Sequence, residues 1–464
     1  MEIRELQEKY KKGELSVTQY INEIFEKVEE NDLNSYVTLN KEAALQKAEE
    51  LDKRLQAGEE PKGLFGVPFS LKDNILTKGL RTTAGSQTLE NFIPVYDATV
   101  TEKLLASDAV LIGKANMDEY AMGSSSETSY FGPTHNPLDK RLVPGGSSAG
   151  SGANVAGGEA IFSLGSDTGG SVRNPANFCN IVGFAPSYGA ISRYGVISMA
   201  NSFDRVGILA NTAEDVKLAF EVISGVDPRD LTSINVDKLE KEIKIEGLKI
   251  AAVKLRDSFR IEEGVKENYL KALSMLEKAG ALIEEIDFEL LEYINYVYTV
   301  IMSVEVSSNM ARIDGMRFGN SLDASENTVG MFIENRTTYF GDEMKRRIAL
   351  GNYFSSKDSG QLHYKKAMQI RKLLKDEFEG ILEKYDYLIT PTNPGTPYEL
   401  GAKVDDANSA FDSGTFNTIS ILANLPAISV PVDKVKLGSI QITGKRNRDY
   451  DLLEFARLFE EMVK

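Results

Sequence analysis

The sequence predicts an α/β fold built as one large unit, and three observations carry that prediction. Short apolar runs alternate with amphipathic stretches: LKIAAV (248–253), an amphipathic run over about 262–278, then a second apolar run over 282–288. That order reads as strand, helix, strand. No clean linker and no internal repeat divides the 464 residues. Residues 145–171 hold nine glycines and six serines, interleaved with Val155, Ala156, Ala160, Ile161, Phe162 and Leu164. Small residues with apolar spacers suit a close-packed helix and strand better than a flexible tether.

The elements follow in order. Ser16 is placed to cap a helix that carries Val17, Ile21, Ile24, Phe25 and Val28 on one face. A second amphipathic helix is expected over about 41–57, stopped by Gly58. Residues 65–71 read as a strand ending at the turn-prone pair Asp73-Asn74, and 109–113 as another after a helix over 99–107. Beyond the strands near 248 and 282, residues 293–375 are largely helical in pattern. Strands are expected at 387–390, 427–432 and 439–443, with a closing helix over 450–462.

Composition narrows the function. Charged residues make up 26% of the chain and the net charge is −16, so the surface repels phosphate backbones and a tRNA or DNA must be held mainly by a partner. The polar start and the lack of any run of about 20 apolar residues predict a cytoplasmic protein with no membrane span. Cys179 is the single cysteine, which excludes an intrachain disulfide; it is expected to be a buried packing residue. With only His135 and His363, few imidazole bases and no multi-histidine metal site are available, and no metal is expected.

There is no phosphate-loop motif, no HExxH and no paired CxxC. Gly146-Ser147-Ser148-Ala149-Gly150 matches GxSxG, but the charged run Asp139-Lys140-Arg141 before it makes a poor buried strand, and only His363 follows as a possible base. What remains is a serine nucleophile without histidine. A lysine can serve as base and acid if burial pulls its pKa, about 10.4 in water, toward neutrality. The candidates are Lys72 at a strand end and the serines of Gly145-Gly146-Ser147-Ser148 and Gly169-Gly170-Ser171. Read singly, each also fits a solvated strand end or a tight turn, and spacing alone does not bring them together.

Three segments carry a resemblance: Gly66-Val67-Pro68-Phe69-Ser70-Leu71-Lys72-Asp73-Asn74, Pro144-Gly145-Gly146-Ser147-Ser148-Ala149-Gly150-Ser151, and Gly165-Ser166-Asp167-Thr168-Gly169-Gly170-Ser171-Val172-Arg173. In this order, with 75 residues from Lys72 to Ser147 and 24 more to Ser171, they resemble the amidase signature enzymes. The resemblance covers nearly the whole chain. It implies one domain over 1–464, with N-terminal helices to about 60, a catalytic core over about 63–215 and an α/β and helical remainder from 216. It also implies a central, mostly parallel or mixed, twisted sheet covered by helices on both faces. Ser171 is the implied nucleophile and Ser147 the relay to a neutral Lys72, through a cis peptide at or beside Gly146–Ser147. The implied oxyanion donors are the backbone amides of Thr168, Gly169 and Gly170, with Ser171 beside them.

Within the family, residues 114–125, 307–315 and 346–348 resemble the glutaminase chains of glutamyl/aspartyl-tRNA amidotransferases, their A subunits. That implies L-glutamine as substrate and the B and C subunits as partners. Ammonia would pass to misacylated Glu-tRNA(Gln) or Asp-tRNA(Asn) on the partner, with ATP and magnesium used by the complex and no cofactor bound by this chain. Arg347 is the implied carboxylate clamp, with Tyr298 beside it and Gly123 and Ser124 in the pocket. Where relatives tend to carry an aspartate for the substrate amino group this chain has Gly414, and Asp412 is the nearby substitute. Ala185 stands where a lysine is common. The alternative is a free-standing amidase for a small amide.

Overall fold

A computed structural model describes residues 1–239, 242–322, 327–357, 360–402, 414–433 and 437–464. Its frame is one sheet of eleven strands: β1 (Tyr36–Leu39), β2 (Pro68–Lys72), β3 (Val110–Ala115), β4 (Phe162–Asp167), β5 (Val182–Ala185), β6 (Arg205–Ala210), β7 (Lys249–Val253), β8 (Leu282–Ile286), β9 (Tyr387–Pro391), β10 (Ala427–Pro431) and β11 (Ser439–Thr443). Their spatial order is β1-β3-β2-β4-β6-β5-β10-β11-β9-β7-β8. The sheet is mixed. β2 runs parallel to both β3 and β4, and β7 parallel to β8 and β9, whereas the other pairings are antiparallel. Of the two sheet types expected, the mixed one is present; the antiparallel strands β5, β6, β10 and β11 occupy its middle.

Fourteen helices of the described residues surround this sheet: α1 (Ile3–Lys12), α2 (Val17–Asn31), α3 (Lys41–Gln56), α4 (Thr99–Ala106), α5 (Ala149–Ala156), α6 (Arg173–Phe178), α7 (Ala213–Ile223), α8 (Glu263–Lys278), α9 (Ile294–Met310), α10 (Thr328–Tyr339), α11 (Asp342–Ser355), α12 (Gly360–Lys384), α13 (Asn417–Ala423) and α14 (Asp449–Val463). Every residue of β2, β3, β4, β6 and β11 is buried, so both faces of the central strands are covered. The Phe69 and Phe162 rings stack at 5.6 Å and lock β2 to β4.

Ser16 caps α2 as expected, its hydroxyl accepting from the Gln19 amide at 3.0 Å. The strand expected at 65–71 begins three residues later. Gly66 has φ +70° and the Phe65 and Val67 amides close turns onto Lys62 and Leu64, so 63–67 is a turn leading into β2. α1 was not expected from its charged sequence; it is held by a stripe of three buried residues, Ile3, Leu6 and Tyr10. No helix of the described residues is long and apolar enough to cross a membrane.

Candidate active site

β2 and β4 are parallel neighbours, so their C-terminal ends emerge side by side, where open α/β sheets place ligands. β2 ends in Lys72, which is fully buried. Its Nζ donates to Ser147 Oγ at 2.7 Å, to Ser166 Oγ at 2.9 Å and to the Ser166 carbonyl at 3.3 Å. Burial pulls this amine down to about 7, against the upward pull of the Asp118, Asp167 and Asp204 carboxylates. A lysine in water is almost wholly protonated at pH 7; burial gives this one a much larger neutral fraction.

Ser147 follows a cis peptide bond from Gly146. A Cβ at Gly146 would collide with the buried Asp118 carboxylate, so only glycine lets the serine loop settle there. Two bonds tie that loop to its neighbours: the Asp118 amide donates to the Ser147 carbonyl at 3.2 Å, and the Ser148 amide to the Ser171 carbonyl at 3.1 Å. Asn174 Nδ2 donates to the carbonyls of Ser124 (2.9 Å) and Gly146 (3.0 Å). Ser148, the centre of the GxSxG match, instead precedes α5 and donates its hydroxyl to the Ser166 carbonyl at 3.2 Å.

Ser171 lies on the loop between β4 and α6, and a buried ion pair holds that loop. Asp167 accepts from the Gly170 amide at 2.8 Å and the Val172 amide at 3.0 Å, one on each side of the serine. The fully buried Arg173 meets the same carboxylate through Nη2 at 2.9 Å and Nε at 3.1 Å. Its Nη1 continues to the Asn417 carbonyl, Ser420 Oγ and Gln441 Oε1. Burial pushes the Asp167 carboxyl up, but Arg173 and the backbone donors outweigh it and hold it below the usual carboxylate range.

This pairing engages the amide of one expected oxyanion donor. The Gly170 amide is already given to Asp167, whereas the amides of Gly169 and Ser171 meet no acceptor among the described residues. Thr168 is anchored by its side chain, which donates to Asp204 Oδ1 at 2.7 Å.

Ser171, Gly169, Gly170 and Gly146 line one cleft of about 120 Å³ together with Gly123, Ser124, Tyr298 and Arg347. Tyr298 on α9 reaches across to Gly169, and burial pushes its hydroxyl well above the ordinary phenol value, so it stays protonated. Arg347 on α11 is 8% exposed; its Nε pairs with Glu343 at 2.7 Å, and its Nη1 faces the sulfurs of Met302 (3.6 Å) and Met199 (4.0 Å). Arg346 also lines the cleft and pairs with the same Glu343 at 2.6 Å. Asp412 lies outside the described residues, and Gly414 lines the cleft. Neither histidine lines it. Cys179 is buried elsewhere, donating to the Pro144 carbonyl at 3.4 Å.

The family model for amidases matches residues 17–453. The chain belongs to the amidase family. Among the relatives of this amidase, the A subunit of glutamyl-tRNA(Gln) amidotransferase from Geobacillus thermodenitrificans is 44% identical over 470 aligned residues, covering 99% of this chain and 96% of that one. Its counterpart from Carboxydothermus hydrogenoformans is 44% identical over 468, with the same coverage. Among solved structures, the A subunit of glutamyl-tRNA(Gln) amidotransferase from Thermotoga maritima aligns with a TM-score of 0.81 at 36% identity, over 99% of this chain and 94% of that one. The peptide amidase of Stenotrophomonas maltophilia shares the fold, with a TM-score of 0.83 at 22% identity over 100% of this chain and 97% of that one.

Sequence reasoning missed the groups that support the serines: Asp118, Asn174, Asn417 and the Asp167–Arg173 pair. The last was within reach, since Asp167 and Arg173 flank Ser171 in one motif, as an acid and a base do when they clamp a tight loop. Asn174 and Asn417 carried no such signal, being 243 residues apart and bridged through the side chain of Asn393.

Proposed function

We propose that this amidase is the glutaminase component of a tRNA-dependent amidotransferase. One observation carries the chemistry: a fully buried amine, drawn down to about 7, hydrogen-bonded at 2.7 Å to a serine of the loop that borders the cleft. In the proposed first step Ser171 Oγ attacks the side-chain amide carbon of glutamine. Its proton passes to Ser147 Oγ while the Ser147 proton moves to neutral Lys72 Nζ. The resulting ammonium returns a proton by the same path to the departing nitrogen, which leaves as ammonia, and water then cleaves the acyl-enzyme by the reverse relay. The negative oxygen that forms is stabilised by the Gly169 and Ser171 amides, preorganised by the Asp167 and Asp204 anchors of their loop.

Arg347 would pair with the substrate α-carboxylate and Tyr298 would hydrogen-bond beside it, with Gly123 and Ser124 forming the opposite wall. The tRNA enters this reading through the names of the amidotransferase relatives, whereas the B and C subunits, ATP and magnesium enter it only through the family resemblance. The chain's charge of −16 supports leaving the tRNA to a partner.

The test is glutamine hydrolysis by the chain alone, with co-expressed partner subunits, and with misacylated tRNA added. Turnover that needs the partners and rises with tRNA is the expected result. Full activity on simple amides by the chain alone would replace this reading with that of a free-standing amidase.

A further inference from the structure

The cleft has two walls from different parts of the chain. The strip 118–124 forms one side, with Gly123 and Ser124, and α11 forms the other, with Arg347. The N-cap of α11 is Gly341, which has no side chain to cap the helix. Its amide instead donates to Oε2 of Glu119, on the opposite strip, at 2.9 Å. The other oxygen, Oε1, accepts from Ser86 Oγ at 2.6 Å, so the buried carboxylate is held from both sides. The fit is close: a Cβ at Gly341 would collide with Glu119 Oε2.

The strip is itself fixed. The Glu119 amide donates to Thr128 Oγ1 at 3.1 Å, and the Met122 amide to the Glu119 carbonyl at 2.8 Å. Two residues beyond Gly341, Glu343 grips Arg347 at 2.7 Å. A carboxylate at a helix N-terminus is also stabilised by the partial positive charge there.

We propose that Glu119 is a positioning residue for substrate recognition: by capping α11 from across the cleft, it sets how far Arg347 stands from the serine loop. Glu119 touches neither substrate nor reacting atoms; it acts through the Gly341 amide and the first turn of α11. The proposal rests on the reading of Arg347 as the carboxylate clamp, and the test separates the two.

Four variants, purified with the partner subunits, are compared by glutamine kinetics and by the rate at which methanesulfonyl fluoride sulfonylates Ser171. That probe is small and has no carboxylate, so it reports the nucleophile without the clamp. Glu119→Ala is expected to raise the glutamine KM about 10-fold, with kcat within about 3-fold and the sulfonylation rate unchanged. Glu119→Gln keeps an oxygen for the Gly341 amide and is expected to stay within about 2-fold of the parent. Gly341→Ala, which blocks the same bond from the helix side and leaves the core carboxylate in place, is expected to reproduce Glu119→Ala. Combining Glu119→Ala with Arg347→Ala should add nothing to Arg347→Ala alone.

Sulfonylation falling in parallel with glutamine turnover would overturn the proposal, because the strip would then be acting on the serine machinery. So would an unchanged KM in both Glu119→Ala and Gly341→Ala while Arg347→Ala raises it. An unchanged KM in Arg347→Ala itself would overturn the clamp, and this inference with it.

Discussion

The two walls of the cleft are built by different physics. The wall carrying the serines grows from strand ends and a loop in which every residue from Ser163 to Asp167 and from Gly145 to Val155 is buried. Its charges are paired or desolvated inside the protein: Lys72 against Ser147 and Ser166, Asp167 against Arg173. The wall carrying Arg347 is helical and shallow. α11 buries only Met344, Arg347 and Gly351, α10 only Asn335, and Val329, Ile333 and Tyr353 stand in solvent. A low-dielectric wall keeps a lysine neutral and a serine loop rigid, whereas a half-exposed helix can change what the cleft holds without disturbing that arrangement.

The sharpest way to break the comparison is at the buried amine. Lys72→Met is expected to lower amidase turnover by roughly 10⁴-fold or more, as loss of a member of a cooperating catalytic set does, and yet to raise stability. The folded-state pKa, about 7, lies below the ordinary lysine value of 10.5, so between these values the unfolded chain binds more protons than the folded one. Stability from this group therefore grows as pH rises from about 7 to 10.5, and at neutral pH the buried amine costs on the order of a few kcal/mol. Denaturant midpoints should rise in Lys72→Met at pH 7 and lose that pH dependence; a midpoint that falls would refute the desolvated amine.

Next comes the pair under the nucleophile. Arg173→Met leaves the Asp167 carboxylate buried without its partner and is expected to cost about 3–5 kcal/mol in urea unfolding. An equivalent loss is not expected for Arg346→Met, whose ion pair lies near the surface, where such pairs contribute about 0–1 kcal/mol. Similar losses at both sites would erase the contrast between the walls.

On the recognition side, Arg347→Ala should raise the glutamine KM about 10- to 100-fold and leave kcat within a few-fold. Equal effects on kcat and kcat/KM would mean that the arginine acts in the transition state.

The smallest expected effect is in pH. In the proposed relay Lys72 takes the proton in its neutral form, so kcat/KM should rise with pH through an acid limb near 7 and level off above it, falling about 10-fold per unit below the limb. Arg347→Ala should leave that limb in place, since the limb belongs to Lys72. A limb near 10 would mean that the lysine is hydrated.

Legibility followed the same division. Lys72, Ser171 and the pair Ser147-Ser148 could be picked out as candidates because glycine-serine clustering and a lysine at an apolar strand end are local signals; the choice of Ser147 came from the family resemblance. The α8 segment and the strands beside it were readable from periodicity alone. β5, β6 and α1 were not, because β5 and β6 are short central strands with little alternation and α1 is a charged helix with three apolar contacts. Glu119 and Gly341 gave no sign of each other: they are 222 residues apart, and neither residue type asks for the other.

By itself the chain determined its α/β character, its scarcity of histidine and its net negative charge, because composition and short-range pattern encode those properties. Tertiary structure alone decided which amides of the nucleophile loop stay open, how far the lysine is desolvated and how α11 is held against the opposite wall. Those depend on distances between segments hundreds of residues apart, and spacing along a chain carries no information about them until the sheet brings its strand ends together.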